Sequence, residues 1–216
     1  MTIVGEVELP VVHHLLALPG ATLEGLKRVY SHPQGLAQCE RFLHTLKGVE
    51  VIATYDTAGS AKMVADSGQA DAAAIASARA GDVFGLKPLA SGIQDFSDNI
   101  TRFLVIGRRP LKNTVADKTT IVFTVPNEPG ALFKALSVFA LRGVDLTKLE
   151  SRPIPGRPWE YLFYADLAAA RDDVPCARAL ANLAEFAPML RVLGSYPSCK
   201  PTDARQVAAG SVEMHA

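Results

Sequence analysis

The chain has 216 residues, room for one or two domains at roughly 150 residues each. Its 22 Lys+Arg balance 22 Asp+Glu, which excludes bulk electrostatic binding to nucleic acid or to an anionic membrane surface. Hydrophobic residues make up 49% and charged residues 20%, the composition of a globular chain and not of a disordered one. The opening MTIVGEVELP has no basic region and carries two glutamates, so no targeting segment is expected. No apolar run approaches the roughly 18 residues that span a bilayer, so no membrane partner is expected either. Cys39, Cys176 and Cys199 lie far apart with no C-x-x-C, which points to thiols in a reducing cytoplasm and not to a metal site or a disulfide framework.

In chain order, residues 26–30 (LKRVY) read as a short strand. Ser31-His32-Pro33-Gln34 then opens a helix through residue 46, with Ser31 and Gln34 at capping-box spacing. Residues 49–55 are a second strand, and Asp56-Thr57 caps a helix to Ser67. Ala72–Ala76 is a small strand and 77–85 another helix. Two strand-then-capped-helix units predict a sheet with helix N-termini along one edge, where ligands bind.

The stretch 107–118 (GRRPLKNTVADK) has no apolar period and reads as a linker. Beyond it, 119–125 is a β-branched strand, and Pro126–Gly130 is a turn into a helix carrying Leu132, Leu136 and Phe139. Residues 144–151 and 159–167 are strands, 172–186 a helix and Met189–Tyr196 a last strand. Trp159 is expected in the core of this unit. The order βαββαβ is the ferredoxin-like arrangement, which by itself says little about chemistry. The tail after Tyr196 carries no core pattern and is expected to fray.

Four short motifs could carry chemistry. Ser31 and Gln38 stand seven residues apart, two turns of one helix face, at a helix start that concentrates unpaired N–H groups. Thr57 and Ala58 sit at another helix start with small residues around it. Asn99-Ile100-Thr101-Arg102-Phe103 offers a hydroxyl and a guanidinium fork. On a strand Thr101 and Arg102 face opposite ways, so they share a site only if the backbone turns there. Gly130-Ala131-Leu132 opens a helix where a carboxylate could dock, and Glu150-Ser151-Arg152-Pro153 sets a carboxylate and a guanidinium at a strand end. For each motif the plain alternative is a cap, a solvated arginine or an exposed ion pair. His13 and His14 diverge on a strand or a helix and cannot easily chelate one metal.

Taken together, SHPQ-x-x-x-QC, DTA-x-x-A, N-x-TRF, GAL and ESRP, in this order, resemble the prephenate dehydratase family over residues 1–196. The GEVELPVVHHLLA opening and the PWEYLFYADL strand belong to the same resemblance. It implies an α/β chain: a partial catalytic lobe like a type-2 periplasmic binding protein over 1–110, a ferredoxin-like ACT regulatory domain over 118–197, and a tail, 198–216. It implies a cytoplasmic lyase that turns prephenate into phenylpyruvate on the route to phenylalanine, with L-phenylalanine as allosteric inhibitor. Thr101 becomes the essential hydroxyl, with Arg102 beside it. Ser31, Gln38, Thr57 and Ala58 become substrate-binding positions. Asn127, Gly130, Ala131, Leu132, Glu150, Ser151, Arg152 and Pro153 become effector positions at contacts in a homodimer or homotetramer. No metal or organic cofactor is called for. The family's first-lobe segment is expected to be absent, which would leave apolar surface around 93–106 exposed. A phenylalanine-sensing ACT protein without catalysis, and an arogenate dehydratase, are the alternatives.

Overall fold

A computed structural model describes residues 1–109 and 115–199. The elements of the first half are β1 (Thr2–Pro10), β2 (His14–Ala17), β3 (Arg28–Ser31), α1 (Pro33–Ala37), α2 (Glu40–Leu43), β4 (Glu50–Ala53), α3 (Thr57–Ser67), β5 (Ala72–Ala76), α4 (Ala78–Phe84) and β6 (Lys87–Ser91). Then come β7 (Ile100–Gly107), β8 (Lys118–Thr124), α5 (Ala131–Ala140), β9 (Leu146–Ile154), β10 (Arg157–Leu167), α6 (Val174–Ala184) and β11 (Met189–Tyr196). Internal contacts give two compact units: Pro10–Thr101, and Met1–Leu9 with the described residues from Arg102 onward. The chain changes unit at 9–10 and 101–102. Part of the linker expected over 107–118, and the tail from residue 200, lie outside the described residues.

The unit Pro10–Thr101 is built on a five-stranded sheet, β4-β3-β5-β2-β6. β3 runs parallel to β4 and β5, and β2 runs antiparallel to β5 and β6. β5 (AAAIA) is buried along its whole length, as a central strand covered on both faces must be. Strand alternation sorts the core into two layers. Leu15, Ala17, Val29, Ala73 and Ile75 pack with Cys39, Leu36 and Phe42 on one face. Leu16, Ala74 and Ala76 pack with Ala61 and Val64 of α3 and Ala80 of α4 on the other.

The helix expected over 31–46 is two short ones. Cys39 leaves helical geometry at φ −125° and buries its side chain, and the Gln38 carbonyl accepts from the Asp95 N–H at 2.7 Å instead of continuing the helix. The cap also differs from the expected box. The His32 ring, not Ser31, accepts from the Gln34 N–H.

The other unit holds a two-stranded sheet, β1-β7, and a four-stranded antiparallel sheet in the order β11-β8-β10-β9. That order is the ferredoxin-like one, with α5 and α6 packed on one face. Ile121, Phe123, Ala165 and Leu167 meet Ala135, Val138 and Phe139 of α5 and Ala179 and Leu183 of α6. β1 lies directly on this unit. Thr2 Oγ1 donates to the Leu193 carbonyl at 2.8 Å, and a Cβ on Gly194 would stand 2.2 Å from the Ile3 carbonyl oxygen.

Two sequence expectations change here. Trp159 is not core. It is 75% exposed, with φ +68°, at a bulge where the β9–β10 register shifts between Arg157 and Tyr161. The stretch 93–106 is not uniformly exposed either. Ile93 is buried beside Leu15, while Ile100 and Phe103–Ile106 stay open to solvent.

Candidate active site

The parallel strands of the Pro10–Thr101 unit end at one edge of the sheet, where the connections into α1 and α3 begin. A cavity of about 570 Å³ opens there, the position where open α/β sheets bind ligands. His32, Gln34, Gly35 and Gln38 line it from α1 and its end, Tyr55, Asp56 and Thr57 from the start of α3, and Val11, His13, Asn99 and Thr101 from the strand ends. Among the described residues no lysine or arginine lines it, so its polar character comes from amides, hydroxyls, imidazoles and one carboxylate.

Each wall has a local cause. Asp56 caps α3, its carboxylate accepting from the Gly59 N–H at 2.5 Å. Asp56 and Thr57 thus bring the start of α3, the positive pole of that helix, to the cavity wall. Ser31 lies beneath the wall and not in it. It is fully buried and donates to the Ile75 carbonyl at 2.8 Å, tying β3 to β5. A Cβ on Gly35 would stand 2.8 Å from Ser31 Oγ and 3.2 Å from Thr57 Cγ2, so glycine lets α1 close on both. Ala58 is exposed and does not line the cavity.

His13 is buried, and its Nε2 stands 2.7 Å from Gln38 Oε1. Its backbone N–H donates to Gln94 Oε1 at 3.1 Å. The pair holds the Gln38 side chain at the cavity. Sequence reasoning weighed His13 only as a metal ligand. The useful signal was its place just before a strand that enters the sheet centre. Among the described residues no group of three or more His, Cys, Asp or Glu is placed to hold a metal ion.

β7 runs straight through Thr101 and Arg102, so their side chains point to opposite faces. Thr101 lines the cavity and Arg102 does not. In its own unit, Arg102 Nη1 donates to Asp166 Oδ2 at 2.5 Å, and its Nε stands 3.1 Å from Glu6 Oε2. Lys118 Nζ pairs with Glu6 Oε1 at 2.5 Å. Tyr196 OH donates to Thr120 Oγ1 (2.7 Å), which in turn donates to Asp166 Oδ1 (2.6 Å). Burial works against the charge on Arg102. The hydrogen bond and charge of Asp166, with help from Tyr196 and Glu6, outweigh it and hold its pKa above the ordinary value. Burial also raises the Tyr196 pKa.

The two effector motifs share one end of the four-stranded sheet. Thr124 of β8 pairs with Leu162 of β10, which pairs with Arg152 of β9. The turn holding Asn127 and Gly130 therefore leaves the sheet about 10 Å, two strand spacings, from Arg152. Gly130 takes φ +81° at the start of α5, Ala131 is buried, and Leu132 is half-buried. Glu150 pairs with Lys148 at 2.7 Å and Arg152 at 2.5 Å, and these cations, Lys148 foremost, hold its carboxyl below the usual range. Ser151 and Pro153 are exposed on the same strand.

Burial pushes the Cys39 thiol up to about 12 and the Cys176 thiol up to about 11. Burial thus favours the neutral thiol over the thiolate at both positions. No helix among the described residues is long and apolar enough to cross a membrane.

Residues 1–111 match the prephenate dehydratase family, and 119–185 match the ACT domain. The chain is 50% identical over 206 residues to arogenate dehydratase/prephenate dehydratase 2 of Arabidopsis thaliana, a chloroplastic protein, covering 90% of this chain and 54% of that one. Among solved structures, a prephenate dehydratase from Arthrobacter aurescens in complex with L-Phe superposes with TM-score 0.78 at 35% identity, over 94% of this chain and 67% of that one. GqqA, described as a novel type of quorum quenching acylase, superposes with TM-score 0.82 at 38% identity, over 94% and 74%. The chain spans about half the length of the curated relatives it matches. With its dehydratase region followed by an ACT domain, this chain belongs to the prephenate dehydratase family.

Proposed function

We propose that the chain carries out the decarboxylative dehydration of prephenate to phenylpyruvate, and that L-phenylalanine bound to its ACT domain suppresses the reaction. The observation that carries this reading is Thr101, a hydroxyl on the wall of a polar cavity at the carboxyl edge of parallel strands, with Gln38 and Thr57 on the facing walls. Prephenate loses its ring carboxylate as CO2, and the freed electron pair enters the ring. The bond to the ring hydroxyl breaks, and that oxygen leaves as water once protonated. Thr101 O–H donates to the departing oxygen. The Gln38 amide and the N–H groups opening α3 hold the remaining oxygens. Arg102 is spent on Asp166 and Glu6, so it takes no part in this binding.

The effector reading rests on the ACT domain and on the shared sheet end of Gly130–Leu132 and Glu150–Pro153. L-phenylalanine lies there at contacts between ACT domains of a homodimer or homotetramer, its carboxylate on the N–H groups opening α5. Inhibition then requires unequal affinity for the active and inactive states. Cys39 and Cys176, kept as buried thiols, fit a cytoplasmic setting.

The test is phenylpyruvate formation from prephenate by the 216-residue chain, with and without L-phenylalanine. Turnover that L-phenylalanine suppresses is expected. Thr101→Ala should lower kcat about a hundredfold or more with little change in KM. An unchanged kcat refutes the role of Thr101. L-phenylalanine binding without turnover favours a sensing ACT protein. Arogenate stands as the second substrate because the Arabidopsis relative carries both names. The ratio of kcat/KM for the two decides between them.

A further inference from the structure

The donor that the cavity leaves unused is Asn99. Its backbone is fixed, since its carbonyl accepts from the Val11 N–H at 2.8 Å. It stands just before β7, two residues ahead of Thr101. Both line the 570 Å³ cavity. Asn99 also lines a second, smaller cavity with Gln38, Gln94 and Phe96, so the Asn99 and Gln38 amides stand where the two adjoin.

Asn99 Nδ2 is shielded from solvent and has no hydrogen-bond partner. An unpaired buried donor is unfavourable in the free protein. No neighbouring acceptor meets it: Gln38 Oε1 stands against His13 Nε2, Asp56 Oδ1 caps α3, and Asp98, although it lines the smaller cavity, is not bonded to it. The terminal torsion of asparagine is broad, so a small rotation brings the NH2 group to the cavity surface. There it is open to an acceptor carried by a ligand. With no lysine or arginine among the described lining residues, an anionic ligand depends on such neutral donors.

We propose that Asn99 is a ligand-binding residue whose side-chain NH2 donates to a carboxylate or carbonyl oxygen of the substrate, beside the oxygen served by Thr101. This rests on the prephenate reading given above. It assigns the orphaned donor a function and makes Asn99 a determinant of affinity for oxygen-rich, anionic ligands.

The experiment is titration calorimetry of prephenate into the full chain and into Asn99→Asp and Asn99→Ala, with thermal unfolding of all three. Asn99→Asp keeps the shape and replaces two donors with an acceptor. It should weaken prephenate binding about tenfold or more. Asn99→Ala removes an unsatisfied donor, so its unfolding midpoint should stay within about 2 °C of wild type or rise, while binding is lost to a similar degree. Unchanged affinity in both variants overturns the proposal while leaving the prephenate reading intact. A midpoint drop well beyond that range with unchanged affinity shows a structural role and also overturns it. No prephenate binding by the wild-type chain overturns the substrate reading, and with it this role for Asn99.

Discussion

Arg102→Met separates the two roles open to the arginine of the TRF motif. In the structure its guanidinium meets two carboxylates whose side chains are 0% (Glu6) and 2% (Asp166) exposed. Removing one partner from a buried ion pair costs about 3–5 kcal/mol, because the other charge is left uncompensated. Here the loss is tempered. Glu6 keeps Lys118 and the Cys199 N–H, and Asp166 keeps the Thr120 hydroxyl. A destabilisation near the lower bound, about 3 kcal/mol, is therefore expected. Urea unfolding followed by circular dichroism measures it. Adding Asp166→Asn to Arg102→Met removes the orphaned charge and should recover part of the loss, with a coupling of about 1–3 kcal/mol. Prephenate affinity of the folded Arg102→Met chain should be close to wild type. Unchanged stability together with a large loss of prephenate affinity refutes the reasoning, because the guanidinium would then be serving the ligand and not the carboxylates.

Gly194→Ala should destabilise the docking of β1, since its Cβ would stand 2.2 Å from a backbone oxygen that no rotamer can move. A cost of about 1–3 kcal/mol is expected, and a urea midpoint equal to wild type would remove β1 from that position. His14 has a pKa below the ordinary histidine value, first through burial and then through His13. The unfolded chain thus takes up its proton more readily, and stability present above about pH 6.5 is lost as the pH falls through the folded value. Urea midpoints at pH 7.5 and 5.5 should differ less in His14→Gln than in wild type. An equal difference in both chains would assign the acid sensitivity to other groups.

The ferredoxin-like half was legible because its elements are local statements. β-branched and aromatic strands alternate, helices show one apolar stripe, and glycines mark the stops. The site was legible only in part, because it depends on pairings across the chain. Ser31 and Gln34 do have capping-box spacing. Yet the Ile75 carbonyl on β5 takes the Ser31 hydroxyl, and the cap falls to His32. No local pattern shows an acceptor that lies 44 residues away. Residues 31–46 read as one helix, and a bond from Asp95 to the Gln38 carbonyl divides it. Trp159 looked like core because it sits in an apolar, aromatic run. A bulge of the kind that alters side-chain direction puts it in solvent. β1, β2 and β6 were not assigned from the sequence, although the opening residues entered the resemblance to the family.

The TRF motif shows why a motif should be read residue by residue. A shared substrate site would require both Thr101 and Arg102 to face the ligand, and strand alternation forbids that unless the backbone turns. β7 does not turn. The chain passes from one compact unit to the other between these two residues. Thr101 is left to the cavity of one unit and Arg102 to the buried carboxylates of the other. A guanidinium beside two buried carboxylates already has its charge satisfied, and an anionic ligand would have to compete with both at a cost in stability. A hydroxyl has no such competitor, and it serves a departing oxygen best where neutral donors surround it and a fixed strand holds it. The strand supplies that fixity.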